Sequence, residues 1–331
     1  MNVAVDAMGG DYAPELVVQG AVDAVSELGI NIILVGHEKR VAEALNGHPT
    51  GGRISFHHCE DVIRMEESPL KALRKKKDAS IRVAFDLVKS GRADAVVSAG
   101  NSGATLAAAV MTLGRMKGVD RPAIAGILPT EGGPVVLIDV GANVDCRPSH
   151  LFQFGVMANA FASSCLGINN PTVGLLSIGE EEGKGNEQVR LARELFAKSD
   201  LNFIGNVEGR DILSGKVNII VCDGFVGNVV LKLTEGTVAA MRRVIERELM
   251  GSFLGRDALM LGQNAIYKFI RRLDYEEHGG APLLGINGVG MICHGGSSAK
   301  AIKNAIHIAV QYVNNRVLEK MTLQLKTSKA C

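Results

Sequence analysis

Tryptophan is absent from the 331-residue chain, and aromatic residues of all kinds make up only 4% of it. A platform for single-stranded nucleic acid needs aromatic faces interleaved with basic groups, and no such strip occurs. Charge of one sign is missing too: 36 Lys and Arg stand against 35 Asp and Glu, a formal net charge of +1, so no global field draws in a polyanion. Nucleic acid is therefore not an expected partner. The six cysteines (Cys59, Cys146, Cys165, Cys222, Cys293, Cys331) form no CxxC pair and no metal-ligand spacing. They read as free thiols in a reducing compartment, with no metal. The start, MNVAVDAMGG, lacks the basic and apolar regions of a signal peptide. Long apolar runs are also missing. Ala95–Gly114 carries Ser, Gly, Asn and Thr, and Leu151–Ile168 is interrupted by Gln153, Asn159 and Ser163–Ser164. Both are expected as buried helices of a cytoplasmic protein.

What the chain does have is 47% hydrophobic residues and 39 glycines. With few aromatics, its core is built from Ala, Val, Ile and Leu, which favours an α/β enzyme. One pattern recurs: a short β-branched run, a glycine turn, then a helix of small apolar residues. Val3–Val5 leads into DAMGGD and a helix over Glu15–Leu28. Ala93–Val97 leads into SAGNSGAT, Val135–Ile138 into DVGANVDCRP, and Thr172–Ile178 into GEEEGKGN. Val217–Val221 leads into CDGFVGN, and Val289–Ile292 into CHGGSS. Strands alternating with helices predict a mainly parallel sheet covered on both faces, a three-layer α/β/α sandwich. The run AIAGILPTEGGPVVLID differs, since two apolar stretches around TEGG predict a hairpin and hence an antiparallel strand. Without repeats or linkers, residues 1–331 are expected to form a single α/β domain with two lobes around one cleft.

Ligands of such sheets bind at the carboxyl ends of strands, where glycine lets backbone N–H groups approach an anion. Four turns qualify: one with Asp6, Gly9 and Gly10; one with Gly100, Asn101, Ser102 and Gly103; one with Gly183, Lys184 and Gly185; one with His294, Gly295 and Ser297. Converging on one sheet edge, they predict a small-anion or phosphate site. The Lys184 loop resembles a P-loop, but Gly179 and Gly183 enclose three residues, not four, and Gly185 replaces the magnesium-binding hydroxyl. Polyphosphate is therefore not expected beside Glu180–Glu182. Lys184, Asn228 and His294 are the candidates for chemistry, against structural readings as a solvated lysine, a helix cap and a core histidine. Asp139, Asp145 and Asp223 fit turn formers. No GxSxG elbow and no strand-linked GxGxxG occurs.

Two further stretches have surface character. From 236 to 274, apolar residues recur at helical spacing on either side of the tip GSFLGRDALML, which predicts a helical hairpin. Phe253, Leu254 and Leu259 would form an apolar tip, flanked by Arg242, Arg243 and Arg247. That composition suits an anionic membrane surface, an acidic partner or a dimer interface. The run SPLKALRKKKDAS, with Arg74, Lys75 and Lys76, could steer an acidic partner.

Taken together, VDAMGGD, PLKALRKKKDAS, SAGNSGATLA, LIDVGANVDC, LLSIGEEEGKGNE, CDGFVGNVVLK and GGAPLLGINGVGMICHGGSSAKAI resemble the bacterial acyl-ACP:phosphate acyltransferases, the PlsX family of phospholipid synthesis. These stretches span nearly the whole chain. The resemblance implies a fold related to phosphotransacetylases and isopropylmalate dehydrogenases. It also implies a homodimer, and peripheral association with the inner face of the cell membrane, where a glycerol-phosphate acyltransferase would consume the product. The implied reaction moves a fatty acyl group from acyl carrier protein to inorganic phosphate and needs no cofactor. On that reading Lys184 holds phosphate, Asn228 and loop amides face the oxyanion, and His294 assists phosphate binding or protonation of the thiolate. The basic runs would dock the acidic carrier. The nearest alternative is a phosphotransacetylase-like enzyme using acyl-CoA, and a non-catalytic lipid-enzyme scaffold is a third.

Overall fold

The computed structural model describes residues 1–130, 132–250 and 279–328. Within them the chain builds an 11-stranded sheet. The strands are β1 (Asn2–Asp6), β2 (Asn31–Gly36), β3 (Ile54–His58), β4 (Ala95–Ser98), β5 (Ala123–Leu128), β6 (Val135–Ile138), β7 (Val173–Leu176), β8 (Phe203–Val207), β9 (Ile219–Val221), β10 (Ala281–Leu284) and β11 (Val289–Ile292). Their spatial order is β3-β2-β1-β4-β11-β10-β5-β6-β9-β7-β8. Inner strands such as AVVS, AIAGIL and VVLI are buried at every position. That is the continuous apolar pattern of a sheet covered on both faces. The edge strands β3 and β8 are half exposed.

Helices cover the two faces. On one side lie α1 (Glu15–Leu28), α6 (Pro148–Cys165), α7 (Glu187–Ala197), α9 (Ala299–Asn314) and α10 (Val317–Thr327). On the other lie α4 (Ser80–Lys89), α5 (Ser102–Leu113) and the start of α8 (Gly224–Met250). The short helices α2 (Glu38–Leu45) and α3 (Pro69–Lys75) complete the set among the described residues. Alternate residues of β1 feed the two cores, Val3 and Val5 one, Ala4 the other. Each fully buried Val or Leu contributes about 1.5–3 kcal/mol. Small residues set the layer spacing: a Cβ on Gly20 of α1 would lie 2.5 Å from the Ala299 carbonyl oxygen.

The expected hairpin is present, with β5 antiparallel to β6 (Ala125↔Ile138 in register). Strand β10 is antiparallel to both β5 and β11. These reversals split the sheet into two parallel sets running in opposite directions, β3-β2-β1-β4-β11 and β6-β9-β7-β8. The loops expected at one carboxyl edge therefore fall into two groups. The loops with Asp6, Gly100 and His294 follow strands of the first set, and those with Lys184 and Asn228 follow strands of the second. Sheet twist offsets this separation. Five steps from β4 to β9 at about 20–25° each turn one set by roughly 100–125° relative to the other. The two carboxyl edges can then border a shared space over the middle strands.

Of the stretch 236–274 expected as a helical hairpin, residues up to Met250 are described, and they belong to α8, which runs from Gly224 to Met250. The tip with Phe253, Leu254 and Leu259, and the returning arm, lie outside the described residues. Among the described residues no helix is long and apolar enough to cross a membrane.

Candidate active site

At the first edge, Asp6 ends β1 and is buried. Its carboxylate accepts from the Ser98 hydroxyl (2.8 Å) and the Met8 N–H (3.3 Å), and Ser98 in turn accepts from the Gly100 N–H (3.1 Å). Burial pushes the Asp6 carboxyl above its ordinary range, against the pull of these bonds. Asp6 thus lies beneath the loops and ties them together. A Cβ on Gly9 would lie 2.7 Å from both Asp6 Oδ2 and Gly100 N, so only glycine permits this approach. Gly10, at φ +115°, brings the next N–H, that of Asp11, to the Gly295 carbonyl (2.8 Å). Three of the four glycine turns are therefore packed against one another.

Asn101 is spent on structure. Its Oδ1 accepts from the Ala104 N–H (3.0 Å) as the N-cap of α5, and its Nδ2 donates to the Met65 carbonyl (2.8 Å). A Cβ on Gly103 would meet Pro69 Cγ at 2.8 Å, so that glycine serves the seating of α3. His294 is exposed, and its Nδ1 accepts from the Gly296 N–H (3.1 Å). The neutral ring therefore carries its proton on Nε2, which points to no described partner.

The second edge repeats the first. Asp139, fully buried at the end of β6, accepts from the N–H groups of Ile124, Gly141, Ala142 and Asn143 at 2.7–3.3 Å. Burial raises its carboxyl too. Gly224 and Gly227 open α8 directly against it: a Cβ on Gly227 would lie 1.9 Å from the Asp139 carbonyl oxygen. Asp223 caps the helix through the Val226 N–H (2.9 Å). This close seating presents Asn228 beside Gly141, whose φ is +134°. In the neighbouring loop after β7, Gly185 takes φ +100° and Asn186 caps α7 through the Val189 N–H (2.9 Å). Glu182 pairs with Arg193 and Glu180 approaches Arg210, so two of the three acids beside Lys184 face arginines. Lys184 itself is exposed and Gly183 open.

A cavity of about 340 Å³ lies between the edges, across the face of β5. Ser102, His294 and Ser297 border it from the first edge, Gly141 and Asn228 from the second. Ile124, Gly126 and Leu128 form its floor, and Leu231, Lys232 and Glu235 of α8 its wall. Asn228 and His294, expected on one edge, thus meet from two. Lys184 does not line the cavity; its loop follows β7, which is paired with the β9 strand that leads to Asn228. The amide of Asn228 and the ammonium of Lys184 hydrogen-bond to no described residue. Cys293 also lines the cavity, and burial pushes its thiol up to about 12, so it is not a thiolate at neutral pH.

The charges expected to dock a partner divide. Lys76 donates to Glu67 and to the Val62 carbonyl (both 2.6 Å), so its charge is already paired within the chain. Arg74, Lys75, Arg243 and Arg247 are exposed. The apolar floor and Gly141 escaped sequence reasoning. Gly126 gave a signal, because a glycine inside a β-branched strand marks a bulge or a close approach.

A family model described as fatty acid synthesis protein matches residues 1–320. A phosphate acyltransferase of Nitratidesulfovibrio vulgaris is 52% identical over 321 residues, covering 96% of this chain and 93% of the relative. One from Pelotomaculum thermopropionicum is 52% identical over 319 residues, with 96% and 93% covered. Among solved structures, a phosphotransacetylase from Streptococcus pyogenes superposes with TM-score 0.65 at 19% identity, covering 95% of this chain and 94% of that one. A 4-hydroxythreonine-4-phosphate dehydrogenase from Klebsiella pneumoniae gives TM-score 0.53 at 14% identity, with 93% and 99% covered. These two share the fold. The near full-length matches at 52% identity settle the kinship: the chain belongs to the fatty acid synthesis protein family, with the phosphate acyltransferases.

Proposed function

We propose that this chain is a phosphate acyltransferase that moves a fatty acyl group from the thioester of acyl carrier protein to inorganic phosphate. The observation that carries this reading is one cavity with an aliphatic body and uncommitted polar groups from two loop systems. A phosphate oxygen attacks the thioester carbon, and the carbonyl π pair becomes an oxyanion. Collapse expels the carrier thiolate and leaves an acyl phosphate. The proton of hydrogen phosphate ends on the thiol, so the step balances without a cofactor. Phosphate is largely ionised near neutrality and needs positioning more than a strong base. Lys184 offsets its charge from the β7 loop. The Asn228 amide donates to the oxyanion, where a preorganised donor acts most strongly. His294 Nε2–H donates a hydrogen bond to the phosphate or the departing sulfur and keeps its proton, while the thiol is protonated from hydrogen phosphate. A raised thiol at Cys293 favours direct attack over an acyl-cysteine intermediate.

In the same reading the exposed Arg74, Lys75 and Arg243 attract the acidic carrier, adding rate more than affinity. Exposed Leu233, Met241 and Val244 on α8 support an apolar contact there, in a homodimer or at the inner membrane surface, where a glycerol-phosphate acyltransferase would take the unstable product. The test is incubation of acyl carrier thioester with and without phosphate, trapping acyl phosphate with hydroxylamine. Hydroxamate that needs both phosphate and enzyme supports the reading. Faster transfer from acyl-CoA than from the carrier would replace the donor.

A further inference from the structure

We infer that the cavity across β5 is the acyl-chain subsite, and that Gly126 sets the chain length it accepts; this rests on the acyl-transfer reading above. The cavity body is aliphatic, formed by Ile124, Leu128, Val140 and Leu231. Among the described residues, the acidic and basic side chains that line it, Glu235 and Lys232, are joined to each other at 2.8 Å. A ligand filling this body is apolar and uncharged along its length, with its polar end at Asn228 or His294. A fatty acyl chain has that chemistry.

Gly126 carries the second step. Ile124, Gly126 and Leu128 alternate onto the same sheet face, so the glycine leaves a gap between two bulky side chains. Gly155 and Gly174, by contrast, are demanded by the protein's own packing: a Cβ on Gly155 would lie 2.4 Å from Phe196, and one on Gly174 2.6 Å from Val207. On Gly126 the nearest atoms would be the Val140 methyls, at 3.2 and 3.6 Å, and the Leu137 carbonyl at 3.8 Å, so an added methyl presses first on a side chain that itself lines the cavity. Gly126 is also not among the glycines of positive φ. Backbone conformation does not demand glycine here, and the tightest contact is with the tip of a cavity-lining side chain rather than with the main chain. The missing side chain keeps space for a ligand.

Gly126→Ala and Gly126→Val fill that space in steps from the floor, and Leu231→Phe fills it from α8. Two readouts are taken on each: kcat/KM with palmitoyl and octanoyl carrier protein, and binding of cis-parinaric acid without turnover. The ratio of palmitoyl to octanoyl kcat/KM should fall in the order Ala, then Val, reaching about tenfold or more, the scale of discrimination by pocket volume. Parinarate should weaken in the same order. Should Gly126→Val not fold, Leu231→Phe carries the same expectation. Equal losses for both chain lengths, or an unchanged ratio, would overturn the assignment. A parent protein that makes no hydroxamate but loses parinarate binding on substitution would sink the acyl-transfer reading while sparing the pocket. Normal turnover with parinarate binding indifferent to all three variants places the chain elsewhere and sinks the pocket alone.

Discussion

Replacing Asn228 with alanine separates chemistry from stability more sharply than any other single change. The amide makes no hydrogen bond to a described residue, and its nearest glycine neighbour, Gly141, would place a Cβ 3.6 Å from Asn228 Cγ. Truncation therefore orphans no buried partner. Alanine is also the better helix former by about 0.5 kcal/mol, so the net change in stability should stay within about 1 kcal/mol. Turnover is another matter. Loss of one preorganised oxyanion donor costs about 10²–10³ in kcat, or about 2.7–4 kcal/mol. A donor used only in the transition state lowers kcat and kcat/KM together and leaves the KM for phosphate in place. Asn228→Asp keeps the shape but adds a negative charge. At about 4 Å and an effective dielectric near 20, each facing unit of phosphate charge adds up to ~4 kcal/mol of repulsion. The aspartate variant should be at least as poor as the alanine one. Hydroxylamine trapping gives the rates, and urea unfolding on the same preparations gives stability. An alanine variant within about threefold of the parent, or an aspartate variant faster than alanine, would refute the role of Asn228.

Lys184→Ala should raise the KM for phosphate and lower turnover by about 10²–10³ while shifting stability by less than about 0.5 kcal/mol, since its exposed ammonium holds no described partner; near-normal phosphate dependence in rate assays would remove it from the site. Cys293→Ala should retain turnover, because a thiol pushed up to about 12 offers almost no thiolate at neutral pH; an acyl group on Cys293 in quenched-flow mass spectrometry would contradict direct attack by phosphate. Asp6→Asn tests the buried carboxyl through pH. Folding raises its pKa above the ordinary 3.8, so above that value the folded chain holds a proton the unfolded chain has lost. The parent's Asp6 contribution then falls as pH rises through the raised value, and the asparagine variant, which does not titrate, should gain on it over that window. Urea midpoints across pH check this, and a gap between the two that stays flat or runs the other way would reject the shift.

The alternation of β-branched runs with small-residue helices was legible because strand burial and helix amphipathicity depend on local residue type. Strand direction was not. The TEGG turn announced one reversal between β5 and β6, and the short Gly285–Gly288 turn makes another between β10 and β11 that went unread, but the pairing of β10 with β5 joins distant stretches of sequence, which no local run encodes. Hence the glycine turns could be recognised while their division between two edges could not. The same holds for side-chain roles. Asn101 and Asn228 look alike in sequence, each just past a glycine turn. Tertiary placement commits the first to the Ala104 N–H and the Met65 carbonyl and leaves the second unspent. Lys76 and Lys75 are adjacent, yet only Lys76 finds Glu67. The cavity floor was hidden because Ile124 and Leu128 have the composition of any buried strand.

Glycines pose the same ambiguity, and two of them can resolve how the anion is held. Gly183 and Gly227 both follow strands in the second half of the sheet. A Cβ on Gly227 would lie 1.9 Å from the Asp139 carbonyl oxygen and 3.0 Å from Cys222 Sγ, both fixed in the core. Gly227→Ala must push α8 off β6, and overpacking of this kind costs about 1–3 kcal/mol or more. Activity should fall together with stability, because Asn228 moves with the helix. Gly183 has nothing of the protein within 4 Å of its would-be Cβ, and it is not among the positive-φ glycines. Gly183→Ala should therefore leave stability within about 1 kcal/mol of the parent, on either side. Any loss of phosphate-dependent turnover in that folded variant reports contact with something other than the chain itself, namely phosphate drawn close to the backbone beside Lys184. Full activity in Gly183→Ala would mean that the Lys184 side chain, and not the glycine backbone, holds the anion.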